Sequence, residues 1–354
     1  MNSQFTKELM AWNQNENTRE MPWKGEKNPY RIWLSEIILQ QTRVEQGTDY
    51  YNRFIKKYPT VSKLAAAPDN EVFKLWEGLG YYNRCRNLLF TARTLVEKNK
   101  GIFPKTYDEL LALKGVGPYT AAAIASFAYN LPYAVVDGNV FRVLSRYFGI
   151  DTAIDTTAGK QVFTSLAEKM LHQKAPGTYN QAIMDFGATV CKPALPNCAE
   201  CPLQKGCAAY QTGKVNQLPV KEKVLTRTKR HFNYFVFEWN DKIWVRQRVL
   251  KDVWQGLHEF YLLETPQIQH WATNQVSDWL KTQLNIKQNK GINISSPCVQ
   301  QLTHQQIRGV FIRIKLTRAP GVLASAGNWY SLKDMSQLAF PKLITQYMEI
   351  SFKS

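Results

Sequence analysis

Apolar residues recur every three or four positions through most of the first 190 residues. Beyond residue 230 that spacing gives way to β-branched and aromatic runs of strand length. The helical period predicts helices over 30–42, 45–57, 71–78, 84–98, 106–113, 118–130, 139–149, 160–172 and 178–190. Proline or glycine marks the joints, as at Pro59, Pro104, Gly115 with Gly117, Pro132 and Pro176 with Gly177. Asn28 before Pro29 reads as a helix start, because a side-chain acceptor precedes a residue with no N–H to satisfy. Residues 211–230 lack aromatic side chains and read as a linker. Strand patterns follow over 231–239, 242–250, 257–265 and 309–317, with helices over 272–285 and 331–349. The expected organisation is a helical domain over 1–213, a basic linker over 214–230 and a smaller α+β domain over 231–354.

At 354 residues and 44% hydrophobic composition, the chain has material for two or three packed domains, which excludes a disordered chain. No apolar run reaches the roughly 18 residues of a membrane helix. The polar N-terminus lacks a signal-peptide core, so a soluble, intracellular protein is expected. The net charge of +17 favours a polyanionic partner, nucleic acid above all. The positive excess is densest in 214–230, which holds six basic residues and one acidic.

Four of the six cysteines, Cys191, Cys198, Cys201 and Cys207, fall within 17 residues, spaced C-x6-C-x2-C-x5-C. In a reducing compartment such a group binds metal. Four thiolates suit tetrahedral zinc or a 4Fe–4S cluster. Zinc sites usually pair two C-x2-C knuckles and only one is present, so the longer arms suit the cluster better. Gly115-Val116-Gly117, between two helical runs, turns the chain tightly. It exposes backbone N–H groups at the next helix's start, a phosphate site that needs no charged side chain; an ordinary turn is the bland alternative. Asp137 stands where it can cap helix 139–149 and stay ionised beside the helix dipole. Glu36 has Ile32, Trp33, Leu39 and Gln40 as helical neighbours, none of them basic. If sequestered, its carboxyl becomes an acid that works near neutrality. If not, Glu36, Gln40 and Arg43 form the wet stripe of a surface helix.

Taken with Pro22-Trp23, Glu77-Gly78-Leu79-Gly80-Tyr81-Tyr82, Trp33 to Val44, Val136 to Val140 and Asn180 to Ala188, these motifs closely resemble the MutY-type adenine DNA glycosylases. That family lies within the helix–hairpin–helix DNA glycosylase superfamily. The resemblance runs through nearly all of residues 5–210 and continues more loosely to the C-terminus. It implies two helical lobes with an iron–sulfur loop at 191–207, holding one 4Fe–4S cluster on the four cysteines. A MutT- or Nudix-like α+β domain that reads 8-oxoguanine would follow. It also implies a monofunctional, monomeric N-glycosylase of base excision repair, cytoplasmic and nucleoid-associated in the bacterial manner. Its partner would be double-stranded DNA carrying adenine opposite 8-oxoguanine or guanine.

By the same resemblance, Glu36 protonates adenine N7, Asp137 stabilises the sugar cation and Asn139 orients Asp137 or Glu36. Tyr119 stands where endonuclease III-type relatives carry the lysine that forms a Schiff base. Gln41, Thr42, Leu79 and Tyr81 flank the gap left by the flipped base. Val44, Gln181, Arg19 and Trp23 lie near that base. Lys24, where the family commonly has arginine, contacts phosphate, as do the hairpin glycines Gly115 and Gly117. Leu302-Thr303-His304 matches the family's Phe-Ser-His loop without its aromatic wedge, leaving Thr303 and His304 as contacts. Three other readings compete with this one. Tyr119 and the C-terminal domain argue against an endonuclease III-like enzyme for oxidised pyrimidines. Glu36 and Asp137 argue against a non-catalytic lesion-binding module. A Nudix hydrolase would need more carboxylates than Glu259, Glu264 and Asp278.

Overall fold

A computed structural model describes residues 3–223 and 226–352. Contacts divide the chain into two units, one of residues 3–66 and 86–223, the other of 67–85 and 226–352. The helices of the first region are α1 (Gln4–Asn15), α2 (Pro29–Leu39), α3 (Val44–Lys57), α4 (Val61–Ala65), α5 (Asp69–Trp76) and α6 (Tyr82–Asn99). There follow α7 (Tyr107–Leu111), α8 (Pro118–Tyr129), α9 (Gly138–Phe148), α10 (Thr157–Met170), α11 (Pro176–Thr189) and α12 (Ala208–Gln211). All nine predicted helices of this region form, within a few residues of their expected ends. α1 was not anticipated; Phe5, Leu9 and Trp12 keep helical spacing but are sparse among polar residues.

In the first unit, Phe5, Leu9 and Trp12 pack with Val140, Val143 and Leu144 of α9, Phe163 of α10 and Ile183 and Phe186 of α11. α2 starts as expected: the Asn28 side chain accepts from the N–H of Tyr30 at 3.0 Å and of Arg31 at 3.4 Å. It packs against α3 and α8, so Trp33, Leu34, Ile37 and Ile38 are all buried. Each such side chain contributes roughly 1.5–3 kcal/mol, enough to carry one polar residue inward with them. The linker is not free along its whole length. Ile154 N–H donates to Val220 O at 3.0 Å, and Asp155 accepts from the N–H of Glu222 and Lys223 at 3.1 and 2.9 Å. Leu218 is buried, which pins this stretch.

The second unit is built on a sheet of β1 (Thr228–Trp239), β2 (Lys242–Gln247), β3 (His258–Glu259), β4 (Tyr261–Thr265), β5 (Asn289–Ile294), β6 (Cys298–Gln301), β7 (Gln305–Leu316) and β8 (Asn328–Ser331). With them go α13 (Thr273–Leu284), α14 (Gly321–Ala324), α15 (Leu332–Met335) and α16 (Lys342–Ser351). β1 and β7 run parallel, Thr228 opposite Gln305 through Glu238 opposite Lys315. β1 is covered on both faces, which explains its unbroken apolar run. Phe235 and Phe237 pack with Val276 and Leu280 of α13. Tyr234 stacks on Phe311, which stacks on Tyr347 at 4.0 Å. The predicted helix 331–349 is two helices, because Pro341 cannot continue one and caps the next. β5, β6 and β8 were not anticipated; they are short and mostly polar.

Residues 67–85 join this unit through specific bonds. Glu77 accepts from Phe340 N–H at 2.8 Å and pairs with Lys74, whose ammonium also donates to Leu338 O. The hydroxyls of Tyr81 and Thr303 are hydrogen-bonded.

Candidate active site

Glu36 is buried, 6% exposed, on a helix whose faces are nearly all buried. The wet-stripe alternative therefore fails. α8 lies against it, and its alanine-rich sequence permits a close approach. The turn into α8 requires glycine at Gly115, whose φ is +80° and whose Cβ would fall 2.7 Å from Asn87 Cβ. Gly117 caps α8 in extended backbone, with Pro118 opening the helix and Tyr119 following. The Tyr119 hydroxyl donates to Met184 Sδ at 3.6 Å and acts on the Glu36 carboxyl. Burial pushes Glu36 up to about 7; the Tyr119 hydroxyl opposes this rise and the charge of Asp137 adds to it. Tyr119 is itself held well above the ordinary phenol range by burial and by Glu36 and Asp137.

Asp137 caps α9. Its Oδ1 accepts from the N–H of Asn139 and of Val140, each at 2.8 Å, and its Oδ2 from Asn139 Nδ2 at 2.8 Å. Burial raises its pKa above the usual aspartate value, while these bonds and the Arg142 charge pull it back. The bonds offset burial rather than exceed it. Asn139 is oriented by Arg142, whose Nη2 donates to Asn139 Oδ1 at 2.8 Å and to Gly187 O at 2.7 Å. Gly187 lets α11 approach here, since a Cβ there would lie 2.6 Å from Asn139 Cβ.

Trp23, Lys24, Ser35, Glu36, Phe127 and Gln181 share the walls of one cavity of about 170 Å³. Its rim is organised by Asp185, which the sequence reading passed over as a site residue. Asp185 is fully buried and receives Arg19 at 2.9 Å, Lys24 at 3.2 Å, Gln181 at 2.9 Å and Asn17 at 3.0 Å. The signal was the four-residue spacing of Gln181 and Asp185 on α11. Lys24 also donates to Arg19 O at 2.6 Å, so its ammonium is engaged within the rim.

The other expected contacts belong to both units. Gln41 is exposed at φ +58° and Thr42 follows it, before Val44 opens α3. In the second unit, Leu79 is buried, Tyr81 is exposed at φ +50°, and Thr303 and His304 form the turn from β6 to β7. Lys114 lies over the Phe90 ring at 4.2 Å.

Cys191, Cys198, Cys201 and Cys207 face one cavity of about 30 Å³ with Val143 and Arg146. Arg146 donates to Cys191 Sγ at 3.5 Å and to Lys192 O at 2.7 Å. Arg142 Nε donates to Cys191 O at 2.7 Å, which ties this loop to Asn139. Burial pushes the Cys201 thiol up to about 12 and raises Cys198 and Cys207 as well. Such thiols become ligands only beside strong positive charge. Among the described residues no three His, Cys, Asp or Glu side chains converge as the ligands of one metal ion would. The donor set and its spread around a cavity fit a multi-atom group better than a lone ion.

Comparison with known proteins places these features. A family described as "HhH-GPD superfamily base excision DNA repair protein" matches residues 34–169, and "NUDIX domain" matches 233–349. An "Adenine DNA glycosylase" of Buchnera aphidicola subsp. Baizongia pistaciae is 32% identical over 97% of this chain and 95% of its own length. The Homo sapiens protein of that name is 41% identical, over 60% of this chain and 41% of its own. The solved structure of a thermostable thymine-DNA glycosylase is similar with a TM-score of 0.55 and 30% identity, covering 59% of this chain and 95% of that one. A non-covalent endonuclease III–DNA complex, 24% identical with a TM-score of 0.50, covers 59% of this chain and 94% of that one; it shares the fold.

Proposed function

The chain belongs to the adenine DNA glycosylases, base excision repair enzymes of the helix–hairpin–helix superfamily, and on that premise we propose that it excises adenine paired with 8-oxoguanine, or with guanine, from duplex DNA. The observation that carries the reading is the buried Glu36, with Tyr119 and Asp137 acting on its carboxyl, on the wall of a cavity shared with Gln181.

A base inside the duplex is unreachable, so adenine leaves the stack before it reacts. Glu36, protonated near neutrality, gives its proton to adenine N7. The C1′–N9 bond then breaks, its electron pair leaving with the base. The cationic sugar is stabilised by Asp137, held in place by Asn139 and two backbone N–H groups. Water adds to C1′ and gives its proton to the Glu36 carboxylate, which restores the acid. These are two carboxyl groups in two protonation states, separated by environment. Tyr119 carries a phenol, which forms no imine, so the enzyme releases base without cutting the strand. Lys114, the nearest amine along the chain, is stacked on Phe90.

The four cysteines would hold a 4Fe–4S cluster, which would supply a structural and electrostatic anchor. It would fix the loop carrying Lys192 and Lys205, whose charges would meet phosphates. The second unit reads the partner base through Thr303 and His304. Its carboxylates Glu259 and Glu264 are neutralised by Arg246, Arg248 and Arg230, which suits binding and not hydrolysis.

A single-turnover assay on 5′-labelled duplexes tests the reading, with adenine opposite 8-oxoguanine, adenine opposite guanine, and thymine glycol. Cleavage of the adenine strand only after alkali supports it. Direct cleavage at thymine glycol points instead to an endonuclease III-like enzyme.

A further inference from the structure

We propose that Asp185 is a positioning residue that decides which end of the Gln181 amide meets the flipped base: it takes the NH2 group and leaves the carbonyl oxygen for the cavity, which selects a base carrying an N–H at the purine 6-position. The inference rests on the reading of the cavity as the base pocket and deepens it. Gln181 and Asp185 stand one turn apart on α11 and so share a face. Gln181 lines the cavity with Glu36, whereas Asp185 is fully buried and stands outside its wall.

An amide has a donor end and an acceptor end, whereas a carboxylate only accepts. Four donors fill the Asp185 carboxylate, two on each oxygen. Oδ1 accepts from Arg19 Nη1 and Gln181 Nε2, each at 2.9 Å. Oδ2 accepts from Asn17 Nδ2 at 3.0 Å and faces Lys24 Nζ at 3.2 Å. The two cations supply the counter-charge that a buried carboxylate needs. Asn17 is held in turn, donating to Asn13 Oδ1 at 2.7 Å and accepting from the Arg19 N–H at 3.1 Å. The carboxylate therefore cannot turn without breaking these bonds, and it commits Gln181 Nε2 to itself. Among the described residues no donor is bonded to Gln181 Oε1, so the cavity is offered an acceptor. With Glu36 at N7, the 6-amino group lies beside it on the same edge of adenine. A base with oxygen at that position sets lone pair against lone pair, and a buried polar atom left unpaired is penalised.

The test is single-turnover release of adenine and of hypoxanthine, which carries oxygen at the 6-position, each opposite 8-oxoguanine. In D185N the asparagine can itself donate, so the Gln181 amide is free to turn. The adenine-to-hypoxanthine rate ratio should fall roughly 3–10-fold, the size of one hydrogen bond. Q181L should lower it alike, and adding D185N to Q181L should move it no further. Both rates come from one preparation, so a smaller folded fraction cancels, as does any common slowing from loosened Arg19 and Lys24. Equal slowing of both bases in D185N would show a structural role alone and overturn the proposal. So would the same fall in ratio with and without the Gln181 amide. In the free protein the Gln181 side-chain NH2, assigned in a 15N spectrum with Q181L, should show one proton moved downfield and protected from exchange. D185N should abolish both effects; unchanged signals overturn the proposal whatever the rates. If the wild type releases no adenine but these signals behave as stated, the functional reading falls and the orientation of the amide stands.

Discussion

Glu36 shows how a residue's chemistry is set by what surrounds it. Its pKa, pushed up to about 7, means that the folded state binds a proton the unfolded chain has released. Stability from this group is therefore full below the unfolded value of about 4.5 and is lost as pH rises through 7. E36Q, neutral at every pH, should gain stability over wild type at pH 8, on the order of 3 kcal/mol, with no gain at pH 4. Thermal melting at the two pH values checks this. The same substitution should abolish adenine release, so the acid is retained at the expense of stability. D137N should still cap α9, since asparagine is a good cap. Without the charge facing the sugar cation, however, release should fall about 10²–10³-fold in single-turnover assays. The Asp137 role was visible in the sequence because capping is local. The burial of Glu36 was not, because it depends on α3 and α8 packing around α2, and a helical stripe of Glu36, Gln40 and Arg43 looks the same wet or dry.

At the scale of elements, the hairpin between α7 and α8 and the contact of α9 with α11 hold the two carboxyls in register. Both depend on a missing Cβ. Gly115→Ala would place a side chain at φ +80° against Asn87, and should cost about 1–3 kcal/mol in a denaturant melt. Gly187→Ala should push Asn139 away from α11. It should lower the rate of base release more than DNA affinity, a difference read by comparing single-turnover rate with equilibrium binding. Local punctuation made most helices legible: Asn28-Pro29 for α2, Asp137 for α9 and Pro176 for α11. β5, β6 and β8 were not legible because short polar strands take their shape from the neighbour they pair with. The break at Pro341 was written in the sequence, but the amphipathic spacing on both sides concealed it.

For the whole molecule, the positive charge is spread widely, so DNA affinity should fall steeply with salt while the released-base rate at saturation changes little. The division of the chain by contacts crosses the apparent sequence boundary: residues 67–85 pack with the C-terminal sheet. No local pattern reports that pairing, because Glu77 and Phe340 are 263 residues apart. It puts Tyr81 and Thr303 in one hydrogen bond. T303A and Y81F should therefore weaken the preference for 8-oxoguanine over guanine to a similar extent, roughly 2–10-fold. The double variant should be little worse than either, measured as a ratio of single-turnover rates on the two duplexes.

The central claim is that a buried acid protonates the flipped base at N7. The most direct test replaces the target adenine by 7-deazaadenine, which keeps the shape and lacks the proton acceptor. The duplex should bind with nearly unchanged affinity, and base release should fall below detection in a single turnover. Release at a rate like that of adenine would contradict the account.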